Sequence, residues 1–107
     1  KNKMSSQEGI AFITFDLYCQ YTGDFPVYRI YVDGRLMTER NYRWDNKHNY
    51  ITERIPLKTV AGPHYLVIEN LNKDTAEYEI RNFKINDKPS VYRQQDCRFV
   101  LNPTDIL

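Results

Sequence analysis

The sequence lacks any apolar run that could cross a membrane. Its longest uncharged apolar segment spans only residues 9–15, whereas a transmembrane helix needs about 20 such residues. An excess of charge of one sign is also absent, because 15 basic and 14 acidic residues are interspersed along the chain. Nucleic-acid binding would require basic residues clustered on one face. We therefore expect neither a membrane nor a nucleic acid among the partners of this protein.

Residues suited to catalysis or metal binding are sparse. His48 and His64 have no cysteine or paired acid at a ligand or triad spacing, and the sequence has neither a nucleophile-elbow serine nor a glycine-rich phosphate loop. Calcium needs about six or more oxygen ligands, whereas isolated loop aspartates suit turns. Such loop aspartates are Asp24, Asp45, Asp74 and Asp87. We predict a protein that is not an enzyme and uses no cofactor or metal.

The only cysteines, Cys19 and Cys97, lie in the first and last predicted strands. In a two-sheet sandwich these strands could be neighbours, which leaves a disulfide open. Residues 1–8 lack the apolar core of a secretion signal, so no export is predicted. Without export, two separate thiols packed as small apolar side chains are the favoured interpretation.

The segment from Val27 to Trp44 predicts a β-hairpin around which the domain is built. Its first part is rich in β-branched and aromatic residues, which suit a half-buried pleated surface. Asp33-Gly34 then interrupts the pattern. A type I′ turn needs positive φ at both central residues, and Asp-Gly supplies it.

Further segments alternate with the period of two that is typical of strands. With the hairpin they give about seven to eight short strands and no helical periodicity. We therefore predict an all-β fold, an antiparallel β-sandwich of jelly-roll type. The predicted organisation is a flexible segment at 1–8, one domain at 9–101 and a tail at 102–107. The further strand candidates are 9–20, 50–57, 64–71, 76–87 and 97–101.

Two irregularities are expected inside these strands. Glu53 interrupts the apolar face of segment 50–57, which indicates an edge strand or a bulge. In segment 76–87 the apolar positions change parity between Ile80 and Phe83. A change of parity within one strand predicts a β-bulge near Arg81-Asn82.

Three segments resemble the jelly-roll of carbohydrate-binding modules. They are Val32-Asp33-Gly34, Ala61-Gly62-Pro63-His64 and Ile85-Asn86-Asp87, and the resemblance spans roughly residues 10–90. It implies a β-sandwich and, more weakly, sugar binding, since one fold serves many functions. The segment MTERNYRW at 37–44 is also similar to small β-sandwich domains of tailed-bacteriophage structural proteins.

Aromatic residues flank the polar loop at 45–49. Rings beside amides and carboxylates match both the apolar face and the hydroxyl edge of a sugar. The same residue types dominate protein–protein hot spots, and several arginines lie nearby. Alternatively, the tryptophan anchors the core and the tyrosines cap the sheet rims. The candidate binding residues are Tyr42, Trp44, Asn46, His48 and Tyr50.

Two functions follow as expectations. The first is a non-catalytic structural or interaction module, as a tail, fibre or capsid-decorating component of a virion. Its partners would be other protein subunits, including copies of itself, and it would reside in the virion or the host cytoplasm. The alternative is a glycan-binding module whose partner is a polysaccharide.

Overall fold

The computed structural model describes residues 7–43 and 49–107. Over these residues the chain forms eight β-strands and no α-helix, which confirms the predicted antiparallel β-sandwich and is consistent with a jelly-roll-like fold. One 3₁₀ turn spans Pro103–Asp105. The strands are β1 Gly9–Tyr21, β2 Val27–Val32, β3 Arg35–Asn41, β4 Tyr50–Thr59, β5 Gly62–Asn70, β6 Ala76–Ile85, β7 Lys88–Pro89 and β8 Arg98–Leu101.

The strands form two four-stranded antiparallel sheets packed face to face. The β1 sheet has the strand order β4-β1-β6-β7, and the β2 sheet has the order β3-β2-β5-β8. The chain passes repeatedly from one sheet to the other, so both sheets contribute to one core. The short strand β7 was not predicted; it follows a turn at Asn86-Asp87, where both residues have positive φ.

The core lies between the inner faces of the two sheets. In β1 the odd positions from Ala11 to Leu17 are buried, as the alternation predicts. From the β2 sheet, Ile30, Leu66 and Phe99 meet them and are almost fully buried. Burial of apolar area at about 25 cal/mol per Å² is the main force that holds two such sheets together.

The central hairpin turn has the predicted type I′ geometry. Asp33 has φ 52° and Gly34 has φ 80°, and β2 pairs with β3 on either side. The Asp33 side chain also contacts β5, because its Oδ1 accepts the backbone N–H of Tyr65 at 2.9 Å. The turn therefore connects three strands of the β2 sheet.

Replacing Gly34 with valine should lower the free energy of unfolding by about 1–3 kcal/mol. A Cβ at this position would meet no atom within 4 Å, so the cost is backbone strain and not a clash. Gly34→Asn is the control, because asparagine tolerates positive φ and should lose much less. Urea midpoints measure both, and equal midpoints for the valine variant and the unmodified chain would contradict the turn assignment.

The predicted bulge in β6 is confirmed. The register between β1 and β6 shifts, because Thr14 pairs with Lys84 whereas Asp16 pairs with Arg81. Asn82 has φ 54° at the extra residue. This shift returns the apolar side chains after the bulge to the core.

Glu53 marks an edge strand, not a bulge. The ladder between β1 and β4 is unbroken, and β4 is an edge of the β1 sheet. The backbone N–H and C=O of Phe12 both hydrogen-bond to Asn86, on the side away from β4. Phe12 and its cross-strand partner Pro56 therefore form a pair without backbone hydrogen bonds between them. The missing N–H of Pro56 therefore falls on the free edge, where proline hinders pairing with another chain.

Both cysteines are free thiols, in agreement with the favoured interpretation. The predicted tail at 102–107 packs on the domain: Leu107 exchanges backbone hydrogen bonds with Ile10, and the Asn86 side chain donates to the Asp105 carbonyl. Residues 1–6 of the predicted flexible segment lie outside the described residues.

Candidate functional site

Tyr42, one of the predicted binding residues, lies in the core. Its side chain is fully buried, and its hydroxyl donates to the carbonyls of Leu17 at 3.1 Å and Asn49 at 3.0 Å. The rings of Tyr28 and Tyr78 pack against it. This corrects the sequence-based placement: β3 ends at Asn41, and the next residue turns inward, so Tyr42 does not present its ring to a ligand.

Tyr50 is half-buried at the start of β4, with its ring centroid 5.1 Å from that of Tyr18. Next to this pair lies a half-open groove of about 770 Å³, whose lining includes Gln20, Asn49 and Arg81. The other predicted site residues are Trp44, Asn46 and His48, which lie outside the described residues, so their role stays a prediction.

The inner wall of the groove holds two polar groups with raised pKa values. Burial raises the pKa of the Tyr78 hydroxyl, and the neighbouring Cys19 adds to that shift. Burial also raises the pKa of the Cys19 thiol. A nucleophilic cysteine needs a lowered pKa, so this thiol is not activated. The Tyr78 hydroxyl is buried, and the Cys19 thiol is the polar side chain that interacts with it.

His64 forms the one His–Asp pair in the part of the chain described. Its Nδ1 lies 2.6 Å from Asp33 Oδ2, and its Nε2 lies 2.8 Å from the carbonyl oxygen of Val60. Because a carbonyl only accepts, Nε2 carries a proton and is occupied. A catalytic base needs a ring nitrogen facing the substrate. Here both nitrogens are used to join turns, which is a structural role.

Glu53 is a charged residue inside the sandwich, with 3% exposure. Its Oε2 accepts the Tyr28 hydroxyl at 2.5 Å and Arg40 Nε at 2.7 Å, and its Oε1 accepts a second Arg40 nitrogen at 3.0 Å. Burial and the hydrogen bond to Glu53 raise the pKa of Tyr28 well above its usual range. Since Glu53 belongs to the β1 sheet and its partners to the β2 sheet, this network fixes the two sheets relative to each other.

The outer face of the β1 sheet is covered by its own side chains. Arg54 lies 4.6 Å from the ring centroid of Phe12, and Arg81 lies 4.2 Å from that of Tyr18. Asp16 accepts hydrogen bonds from two neighbouring side chains. These guanidinium groups make cation–π contacts with the rings and so cover the ring faces. This face therefore offers few uncovered apolar groups.

The outer face of the β2 sheet is different, because it carries a continuous row of apolar side chains. Cross-strand pairing places Tyr31 between Leu36 and Val67, and Pro63 beside Val100. The fifth strand adds Tyr65, two residues from both Pro63 and Val67. We call this set the outer stripe: Leu36, Tyr31, Val67, Tyr65, Pro63 and Val100. Four of its members are 39–53% exposed.

Charged residues flank the outer stripe. On one side Arg29 pairs with Glu39 at 2.6 Å and with Glu69 at 3.5 Å, so this acidic row has two carboxylates for one guanidinium. On the other side Arg98 stands opposite Tyr65 on β8 and forms no ion pair among the described residues. An apolar centre with a charged rim is the usual anatomy of a protein interface.

Neither a cluster of potential metal ligands nor a membrane-spanning helix is found where the structure describes the chain. The described residues contain no group of three or more potential metal ligands. No helix among them is long and apolar enough to cross a bilayer. Comparisons with known proteins find no matching family model, no matching curated protein and no matching solved structure. The two sequence resemblances therefore rest on the quoted segments alone.

The outer stripe was missed by the sequence reasoning, although one signal was visible. In the segment HYLVIENL, the even positions from His64 to Ile68 and the odd positions Tyr65 and Val67 are both largely apolar. A half-exposed strand should be polar on one of them. Apolar residues on both faces are therefore the signal in the sequence that corresponds to the outer stripe.

Proposed function

We propose that this protein is a non-catalytic interaction module that docks on a protein subunit through the outer stripe. The observation that carries the proposal is the contrast between the two outer faces. The β1 face covers its rings with arginines, whereas the β2 face leaves a row of apolar groups in water. Contiguous exposed apolar groups on a small domain mark interaction sites.

The composition of the stripe supports this proposal. Tyrosine and arginine are enriched at protein interfaces, and here Tyr31, Tyr65, Arg29 and Arg98 lie within or beside one apolar row. We extend the proposal to a component of a larger assembly such as a virion. That extension is supported only by the resemblance of segment 37–44.

A glycan-binding module is the second candidate. The observation that favours it is the groove beside the Tyr18–Tyr50 ring pair, where Gln20 and Asn49 supply amides. Rings and amides together match the apolar face and hydroxyl edge of a sugar. Arg81 already occupies space over the Tyr18 ring, however, which makes the outer stripe the better docking surface.

The variant Val67→Asp tests the docking proposal, with Ile10→Asp as its matched control. Both residues are β-branched and similarly exposed, at 39% and 36%, but they lie on opposite outer faces. The tagged 12.8 kDa chain is added to clarified extract of its source and followed by velocity sedimentation. The unmodified chain and Ile10→Asp should sediment with a larger particle, whereas Val67→Asp should lose at least about tenfold in association.

Two results would contradict the docking proposal. One is a Val67→Asp chain that still sediments with the particle while its melting temperature is unchanged. The other is saturable binding of the unmodified monomer to one glycan class that is lost in Tyr18→Ala but kept in Val67→Asp. The second result would make the glycan-binding module the better assignment.

A further inference from the structure

The outer stripe and its flanking charges are arranged in rows across the β2 sheet. The registers place Glu39, Arg29 and Glu69 side by side in the acidic row. The next row lies two residues along the strands from the acidic row and contains Tyr31 and its neighbours. The third row lies two residues further in the same direction and contains Tyr65 and Arg98. An acidic row and a basic position therefore stand on either side of an apolar row.

This order is self-complementary under a two-fold rotation. A two-fold axis along the Leu36–Tyr31–Val67 row brings that row against its own copy. The same rotation places the partner copy's acidic row over the row that contains Tyr65. The partner copy's Glu69 then lies over β5, and Arg98 lies on the neighbouring strand β8. In the plane of the sheet the two residues are therefore one strand spacing apart, about 4.8 Å. Both Glu69–Arg98 contacts form at once, because a two-fold interface repeats each contact.

We propose that a second copy of this chain covers the outer stripe, in a two-fold dimer with the two β2 sheets packed face to face. The inference rests on the proposed function, because it names the partner of the same surface. Strands in such a packing run within about 30° of one another, as in a β-sandwich. Charge complementarity selects the second copy: Arg98 forms no salt bridge among the described residues, since the nearby Asp96 is already paired with Arg93, and the acidic row carries one carboxylate more than guanidinium.

The size of the face sets the strength of the dimer. Four strands about 4.8 Å apart and about seven residues long project an area of roughly 450 Å². Stable dimers bury about 800 Å² per partner, so this one belongs to the weak class. Sedimentation equilibrium must therefore cover chain concentrations from about 10 μM to about 1 mM.

Charge reversal tests this arrangement. The unmodified chain should dimerise within that range, and Arg98→Glu should raise the dimer dissociation constant at least about tenfold, since each substitution acts twice and sets like charges together. The combined Glu69→Arg and Arg98→Glu variant exchanges the two signs and should recover most of the loss. Ile10→Asp should dimerise like the unmodified chain, and melting temperatures confirm that each variant is folded.

Three outcomes would overturn the inference: a chain that stays monomeric at about 1 mM, a dimer that Arg98→Glu leaves unchanged, or a combined variant no better than the single one. These outcomes are distinct from failure of the proposed function. If the chain is monomeric but its association with the larger particle still depends on Val67, the docking surface is supported and only the second copy as its occupant is excluded. A chain that shows neither association loses both.

Discussion

Replacing Glu53 with leucine should lower the free energy of unfolding by about 3 kcal/mol, although leucine suits a core. The substitution leaves the Tyr28 hydroxyl, which is fully buried, without its acceptor at 2.5 Å. Arg40 is 46% exposed and can turn to water, so most of the loss arises at Tyr28. Urea denaturation with a constant m-value measures the change.

The double variant Glu53→Leu with Tyr28→Phe separates the lost acceptor from general repacking. It removes both buried polar groups, so at least half of the lost stability should return. Glu39→Ala is the control, because its ion pair with Arg29 is exposed to solvent and should contribute little to stability. A double variant less stable than Glu53→Leu alone would show that the hydroxyl is not the source of the loss.

The parts of the fold that were predicted correctly depend on local chemistry. Asp33-Gly34 predicts a type I′ turn because so few residues accept positive φ, and the change of parity around Arg81 predicts a bulge because strand side chains alternate. Both rules concern a residue and its near neighbours, so the sequence contains all the information they need.

The features that were predicted wrongly or missed depend on which strands and sheets pack against one another. Tyr42 follows a strand of polar and apolar residues, and nothing in the sequence tells that the chain turns inward after Asn41. Glu53 was correctly placed on the apolar face, but its acceptor role needs Tyr28 and Arg40 from the other sheet. The outer stripe likewise requires the registers of three strand pairs. Such contacts are non-local and could not be read from the alternation of single strands.

At alkaline pH the free energy of unfolding should fall as the pH rises above about 10. Burial raises the pKa of Tyr42 to about 12. It also raises the pKa values of Tyr28, Tyr78 and Tyr92, with Glu53, Cys19 and Cys97 as the second causes respectively. Absorbance at the tyrosinate band and circular dichroism, recorded on the same samples, measure ionisation and folding together.

The sign follows from the direction of these shifts. A phenol whose pKa is higher in the folded state stays neutral there, while the unfolded chain ionises near pH 10. Its stabilising contribution is therefore complete below about pH 10 and is lost as the pH rises toward the folded pKa, by up to about 1.4 kcal/mol per pH unit for each tyrosine. For Tyr42, whose pKa is raised to about 12, this contribution is roughly 3 kcal/mol in all.

The chain provides its own internal comparison, because it has nine tyrosines and only some are buried. The four with raised pKa values should ionise only in one cooperative step with loss of the β-sheet spectrum. Tyr42→Phe should reduce the slope of the free energy of unfolding against pH above about pH 10 by the contribution of one tyrosine. If all nine ionised near pH 10 while the β spectrum persisted, the tyrosine cluster would be open to water, and the core built around Tyr28 and Tyr42 would be wrong.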